Sequence, residues 1–308
     1  MNRTLAPLLL AALTAALHAG ALAQAGGSGM AFLKLGVSAR SNAMADAMTA
    51  HVTGSGAPFA NPAGLAAPAP AALRSELQFM HREWIQDARM QFLGAGLQLG
   101  DEDALGFGLY TASVSGIEVR NRPGTPEATF DARSLVVAAS YARRVDEDLS
   151  LGATVKVLYE KMLVDDAFGW GVDLGAQYRT PWEGVRAGAV LANLGSMSTL
   201  RNESSTLPAS FRAGLAYDGD AGAISSAFTL AADGVYVFPS SMFFASLGGE
   251  LRILRTVAVR AGYLFGETSR GFSAGIGLTW NFVGFDYAYA PLSNDLGNTH
   301  TVSVVVGL

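Results

Sequence analysis

The chain of 308 residues contains no cysteine, which removes disulfides, thiolate zinc sites, iron–sulfur clusters and cysteine nucleophiles together. Charge is scarce as well: Asp, Glu, Lys and Arg make up 15% of the residues and the formal net charge is -5. So sparse and acidic a charge argues against an electrostatic grip on nucleic acid, and no nucleic-acid partner is expected. Histidine numbers only 4 residues. Past the N-terminus there remain His51, His81 and His300, with no metal-ligand spacing between them, so no metal site is expected. Long apolar runs are missing too beyond the first two dozen positions. Residues 56–73 come closest, and Pro58, Pro62, Pro68 and Pro70 interrupt them, so transmembrane helices are excluded.

What the chain does have is 50% hydrophobic residues, a mean hydropathy of +0.27 and 36 glycines. The N-terminus accounts for part of the apolar share. Asn2 and Arg3 give a short cationic start, Leu5 to Leu17 is apolar, and Ala21-Leu22-Ala23 has the small-x-small pattern of a signal-peptidase site. Residues 1–23 therefore read as a cleaved signal peptide of an exported protein, in keeping with a periplasmic or outer-membrane location.

From about Leu73 onward the apolar residues recur with period two. Phe168, Trp170, Val172, Leu174, Ala176 and Tyr178 alternate with Gly169, Gly171, Asp173, Gly175, Gln177 and Arg179. Leu151, Ala153, Val155, Val157 and Tyr159 alternate likewise with mostly small or polar neighbours. A soluble β-sandwich also alternates, but these runs reach about ten residues, the length a tilted strand needs to cross a bilayer. Tyr159, Tyr178, Tyr217, Trp280, Tyr287 and Tyr289 fall toward the ends of the runs, where a membrane barrel carries its aromatic girdles. The pattern predicts an all-β fold, a transmembrane antiparallel β-barrel over 73–308 with about 14 strands.

Its longest connections are expected at 117–129, 194–208 and 291–299, the third, seventh and thirteenth. If both barrel ends are periplasmic, all three face outward. Residues 24–72, rich in Gly, Ala and Pro, lack the alternation. They read as an N-terminal hatch or plug, with Met44, Ala47, Met48 and Val52 at helical spacing across Ala39 to Val52 and Ser38 or Ser41 as the cap. A free linker is the alternative.

By alternation Lys156, Glu160, Asp173, Arg179, Arg212, Glu250, Arg252 and Arg260 face the lumen, either as mutual pairs or as ligand contacts. Asn61 and Pro62 serve either as a turn that closes the plug or as part of a gate. Gly271-Phe272-Ser273-Ala274-Gly275 matches the Gly-x-Ser-x-Gly elbow of hydrolases, with Asp286 or Asp295 and His300 following in order. That elbow needs a strand, a sharp turn and a helix, whereas Ser273 sits within an alternating run. No catalytic residues, cofactor or enzymatic activity are expected.

Phe32-Leu33-Lys34-Leu35-Gly36-Val37-Ser38-Ala39-Arg40, Met44-Ala45-Asp46-Ala47 and Asn61-Pro62-Ala63-Gly64-Leu65-Ala66 resemble the N-terminal signature of the PorV/PorQ family of outer-membrane proteins. Phe285-Asp286-Tyr287-Ala288-Tyr289 and Asp295-Leu296-Gly297-Asn298-Thr299-His300 are similar to that family's C-terminal end. The family in turn resembles FadL-type transporters, fourteen-stranded barrels with a hatch that bears an Asn-Pro-Ala element, matched here by Asn61, Pro62, Ala63 and the following Gly64. Two departures are the approach Ala57-Pro58-Phe59-Ala60 and the final Leu308, where many such barrels end in an aromatic. The resemblance implies a place in outer-membrane lipid and first a role in protein secretion, with secretion-system proteins and cargo C-terminal domains as partners. A FadL-like channel for hydrophobic ligands is the second expectation, and a structural porin-like protein the third.

Overall fold

A computed structural model describes residues 29–67, 75–120, 122, 124–200, 205–222 and 226–308. The expected signal peptide, and the flanks of the expected plug at 24–28 and 68–72, lie outside the described residues. Fourteen strands follow in chain order: β1 Ser75–Glu83, β2 Ala88–Gln98, β3 Asp103–Val119, β4 Ala128–Arg144, β5 Leu149–Met162, β6 Asp165–Arg179 and β7 Val185–Met197. The second half comprises β8 Ser210–Asp220, β9 Ala227–Val237, β10 Met242–Ile253, β11 Val257–Phe265, β12 Phe272–Trp280, β13 Val283–Pro291 and β14 Asn298–Gly307. Each pairs antiparallel with the next, and β14 closes on β1 with Phe79 opposite Val304.

Alternation along the strands gives the barrel two unlike faces. Outward, Val157 is 62% exposed, Trp170 58% and Leu215 55%, whereas the neighbours of Val157 in sequence, Lys156 and Leu158, are buried in the lumen. A closed sheet with so apolar an outer face is a transmembrane barrel, since each such side chain gains about 1.5–3 kcal/mol on leaving water. The soluble-sandwich alternative fails on this closure.

Strand ends differ from expectation at all three of the long connections, the last of which shortens from 291–299 to 292–297 as β13 and β14 extend. β3 and β4 pair beyond a bulge between Val114 and Ile117, where Gly116 has φ +71°, so their connection shortens to 120–127. β7 continues past a second bulge opposite Val172 and Leu174, where Asn193 takes φ 58°, and ends at Met197 rather than 193. The Leu308 amide donates to the Ser75 carbonyl at 2.8 Å, so both chain ends of the barrel meet at one rim. That rim, with the even-numbered connections, is called the near end here; the odd-numbered connections form the far end.

Residues 29–67 pack against the inner face of the barrel, and this segment is called the plug by its position alone. Helix α1 (Ala39–Ala43) is capped by Ser38, whose hydroxyl accepts from the Ser41 amide at 2.9 Å. The single helix expected across Ala39 to Val52 stops at Ala43. Ala45 (φ 52°) and Asp46 (φ 63°) are left-handed, and the Ser41 hydroxyl donates to Asp46 at 2.6 Å, which turns the chain. Helix α2 (Ala57–Ala60) follows with Pro58 in its first turn, where a missing amide costs nothing, and a 3₁₀ turn spans Pro62–Leu65.

Glycines on the inner face make this packing sterically feasible. A Cβ at Gly106 would lie 2.8 Å from Pro58, one at Gly152 2.5 Å from the Ala63 nitrogen, one at Gly248 2.7 Å from the Met44 carbonyl and one at Gly275 2.6 Å from Ala43. Four different strands thus approach the plug where they carry no side chain.

Candidate functional site

Two larger apolar clusters divide the lumen, beside a small third one in which Ala39 and Ala43 of α1 meet Ala288 of β13. One packs Met44, Met48, Val52 and Leu65 of the plug against small wall residues such as Ala104 and Ala142, near the near end of β3 and β4. The other occupies the far half, where Phe32, Leu33 and Phe59 of the plug meet Met90, Phe92, Tyr110 and Leu158 of the wall. Its rings interlock edge to face: Phe32 and Tyr110 at 4.9 Å, Phe59 and Phe92 at 5.4 Å, Phe59 and Tyr110 at 5.7 Å.

Asn61 ties plug and wall together. It is fully buried, its Nδ2 donates to the Thr49 carbonyl at 2.8 Å and to the Ala176 carbonyl of β6 at 2.9 Å, and its Oδ1 accepts from the Ala63 amide at 3.2 Å. Pro62 and Ala63 begin the 3₁₀ turn, and Gly64 closes on Val52, where its missing Cβ makes room.

Charged residues form three separate nodes between the plug and the wall, besides the Arg186–Asp218 pair of β7 and β8. Lys156 pairs with Asp173 at 2.5 Å, donates to Asn193 at 2.8 Å, and lies 5.1 Å from the Phe59 ring, at the edge of the far apolar cluster. The β6–β7 bulge places Asn193 here, and its amide also donates to Asp173 at 2.7 Å. Toward the near end, Glu250 accepts from Arg40 of the plug at 2.8 Å, from Arg252 at 2.8 Å and from Arg260 at 2.5 Å, and Arg260 reaches on to Asp286 at 2.6 Å. At the far end Arg270, in the β11–β12 connection, pairs with Asp46 of the plug at 2.9 Å. Burial alone would raise the Asp46 carboxyl, but Arg270 and Arg82 beside it, with the Ser41 hydroxyl, hold it below its ordinary value of 3.8.

Of the residues singled out in the sequence, Lys156 and Asp173 meet in one node, and Glu250, Arg252 and Arg260 in another. Glu160 is half-buried toward the far end, and Arg212 sits in the lumen wall with its Nε buried and without a hydrogen-bond partner. Arg179 is exposed at the near rim, where it lines a surface cavity of about 480 Å³ with Glu102, Arg144, Asp146 and Glu147. A second cavity of about 250 Å³ opens between the plug and the wall, lined by Arg40, Glu76, Arg252, Arg260 and Asp286. Sequence reasoning missed Arg40, Asp46, Arg82 and Arg270. Arg82 shares the inner face of β1 with Gln78 and Met80 and was open to the alternation argument; the other three depend on contacts between distant segments.

Ser273 and His300 lie on opposite faces of the barrel. The Ser273 hydroxyl is buried and donates to the Ala43 carbonyl at 3.1 Å, while His300 is exposed outside and bonds the Tyr287 hydroxyl at 2.8 Å. No hydrolase triad can assemble from them.

No protein-family model and no curated protein sequence matches the chain, so nothing at that level supports the PorV/PorQ family in particular. Solved structures do match. The monoaromatic hydrocarbon channel CymD superposes with a TM-score of 0.63 at 16% identity, over 89% of this chain and 98% of that one. The Pseudomonas putida toluene transporter TodX gives 0.61 at 16%, over 88% and 97%. A FadL homologue from Pseudomonas aeruginosa gives 0.54 at 12%, over 89% and 98%. The chain shares the fold of these channels. At such identities the likeness reaches no further than architecture, and the shared barrel leaves the chemistry of the lumen to this chain's own residues.

Proposed function

We propose that the protein is a channel of the outer membrane that admits hydrophobic small molecules passively, with residues 29–67 as its plug. The observation that carries this reading is the far apolar cluster: Phe59, Phe92, Tyr110 and Leu158 give the lumen an aromatic and aliphatic lining where a water-filled pore would be polar. The structural neighbours that are hydrocarbon channels support it. A role in secretion, which the PorV/PorQ resemblance put first, has no such support. The far end then faces the exterior, the plug closes the route to the periplasm, and Asn61, Pro62, Ala63 and Gly64 hold the plug closed. Uptake of labelled toluene by cells that express the protein in their outer membrane tests the proposal. A rate above that of cells with an empty vector is expected; an unchanged rate with correctly inserted barrel would refute it.

A further inference from the structure

His51 occupies an unusual position in the plug. It is 2% exposed and neither ring nitrogen has a hydrogen-bond partner. The charged groups that face it come from three elements: Arg40 in α1, Arg186 at the near end of β7 and Glu250 in β10. The one carboxylate among them, and the carboxylate that Arg186 meets, are committed elsewhere. Glu250 accepts from Arg40, Arg252 and Arg260, and Asp218 of β8 pairs with Arg186 at 2.5 Å. Asp233 of β9, the further acid that holds this stretch, accepts the Thr49 amide at 2.9 Å through Oδ2, while its Oδ1 is buried without a partner and is not among the charges that act on His51.

We propose that His51 is a proton-operated release for the plug: an imidazolium at this position faces two arginines and a single carboxylate, Glu250, that three arginines already share, so acid favours departure of the plug from its seat. Burying a charge without a partner is among the costlier acts in a protein interior. Burial, with Arg40 and Arg186 adding to it, holds the seated imidazole well below its ordinary value of 6.5. A released plug exposes His51 to water, where it titrates near that ordinary value. The sign follows from linkage: the released state binds the proton and the seated state does not. The ratio of seated to released plug is therefore independent of pH above about 6.5 and falls by up to about tenfold for each pH unit below it. His81 and His300 alternate with buried neighbours on the outer face of β1 and β14, away from the plug.

The inference rests on the channel reading only in taking residues 29–67 as the closure. A readout of plug position keeps the two apart. Because the chain has no native cysteine, Val52→Cys in the full-length protein in liposomes supplies a single thiol buried in the seat. Its maleimide labelling rate, divided by that of a free thiol at the same pH, is expected to be flat from pH 8 to 6.5. Below 6.5 it should rise by up to about tenfold per unit. The rise should vanish with His51→Gln added and persist with Asp233→Asn added. Should the His51→Gln barrel fail to insert, Arg186→Gln gives a second test: it removes one of the two arginines and frees Asp218 as an acceptor, so the rise should still begin near 6.5 but level off sooner, at a smaller total increase. A flat profile in the parent, an unaltered rise in His51→Gln, an undiminished one in Arg186→Gln, or a rise lost in Asp233→Asn would overturn the proposal.

Discussion

Arg40 of the plug and Glu250 of β10 share two hydrogen bonds, from Nε to Oε2 at 2.8 Å and from Nη2 to Oε1 at 3.2 Å. This bidentate pair fastens the start of the plug to the wall, and Arg260 and Asp286 extend it across β11 and β13. The intervening strand β12 permits that reach at Gly277, where a Cβ would meet the Arg260 guanidinium at 2.6 Å. Glu250→Gln keeps the shape and removes the charge that three arginines share. Loss of one partner of so buried a group costs about 3 kcal/mol. Limited proteolysis should then cut within residues 29–67 while the barrel keeps its heat-modifiable migration; an uncut plug would show that Arg40–Glu250 does not anchor it.

The glycine seat makes a steric prediction. A Cβ at Gly152 would lie 2.5 Å from the Ala63 nitrogen, and neither the strand nor the 3₁₀ turn can yield by that much. Gly152→Val should therefore displace the plug at a cost of about 1–3 kcal/mol or more to its seating. Ala153→Val, one position along and facing lipid, serves as the control that leaves it seated. Equal protease sensitivity in the two variants would contradict the close approach.

The barrel was legible because period-two alternation is a local property: Phe168 to Arg179 display both faces without reference to any other segment. The path of residues 29–67 was far less legible. Helical spacing of Met44, Ala47, Met48 and Val52 promised a helix that Ala45 and Asp46 in fact break, because the Ser41–Asp46 hydrogen bond and the Arg270 pair reward a turn there. Alternation also brought Lys156, Asp173, Glu250 and Arg260 to the lumen face but said nothing of who pairs with whom. Arg40–Glu250 joins positions 210 residues apart, and Asp46–Arg270 joins positions 224 apart, so register and plug path had to be known first.

Asn61 offers a choice between turn and gate. Asn61→Ala removes the bonds donated to Thr49 and Ala176 and leaves both carbonyls buried, at a cost of about 1–3 kcal/mol. Faster toluene uptake with the barrel intact is expected of a residue that holds the plug closed. Unchanged uptake would reduce Asn61 to a turn residue.

A second acid response should follow from Asp46. Its carboxyl sits below 3.8 in the seated plug because Arg270, Arg82 and the Ser41 hydroxyl outweigh the effect of burial. A group with a depressed value stabilises the seat fully above its ordinary value and loses that contribution as pH falls through the lower one. Labelling of Val52→Cys should thus show a further rise below about pH 4, distinct from any that begins near 6.5. Asp46→Asn should remove the lower step alone; its survival in that variant would assign it to another carboxylate.

Lys156 and Asp173 decide whether the lumen charges are structural pairs or ligand contacts. Their 2.5 Å ion pair is buried beside Phe59, so either single change, Lys156→Met or Asp173→Leu, strands a charge and should destabilise the barrel by about 3–5 kcal/mol. The double variant replaces the pair with apolar volume and should recover most of that loss, as buried ion pairs are commonly replaceable in this way. Thermal unfolding in detergent measures the cycle, and toluene uptake reads the function separately. Stability restored and uptake retained in the double variant would make the pair structural. Stability restored with uptake lost would instead place the pair on the route that toluene takes, the Lys156 ammonium meeting its ring as it meets that of Phe59.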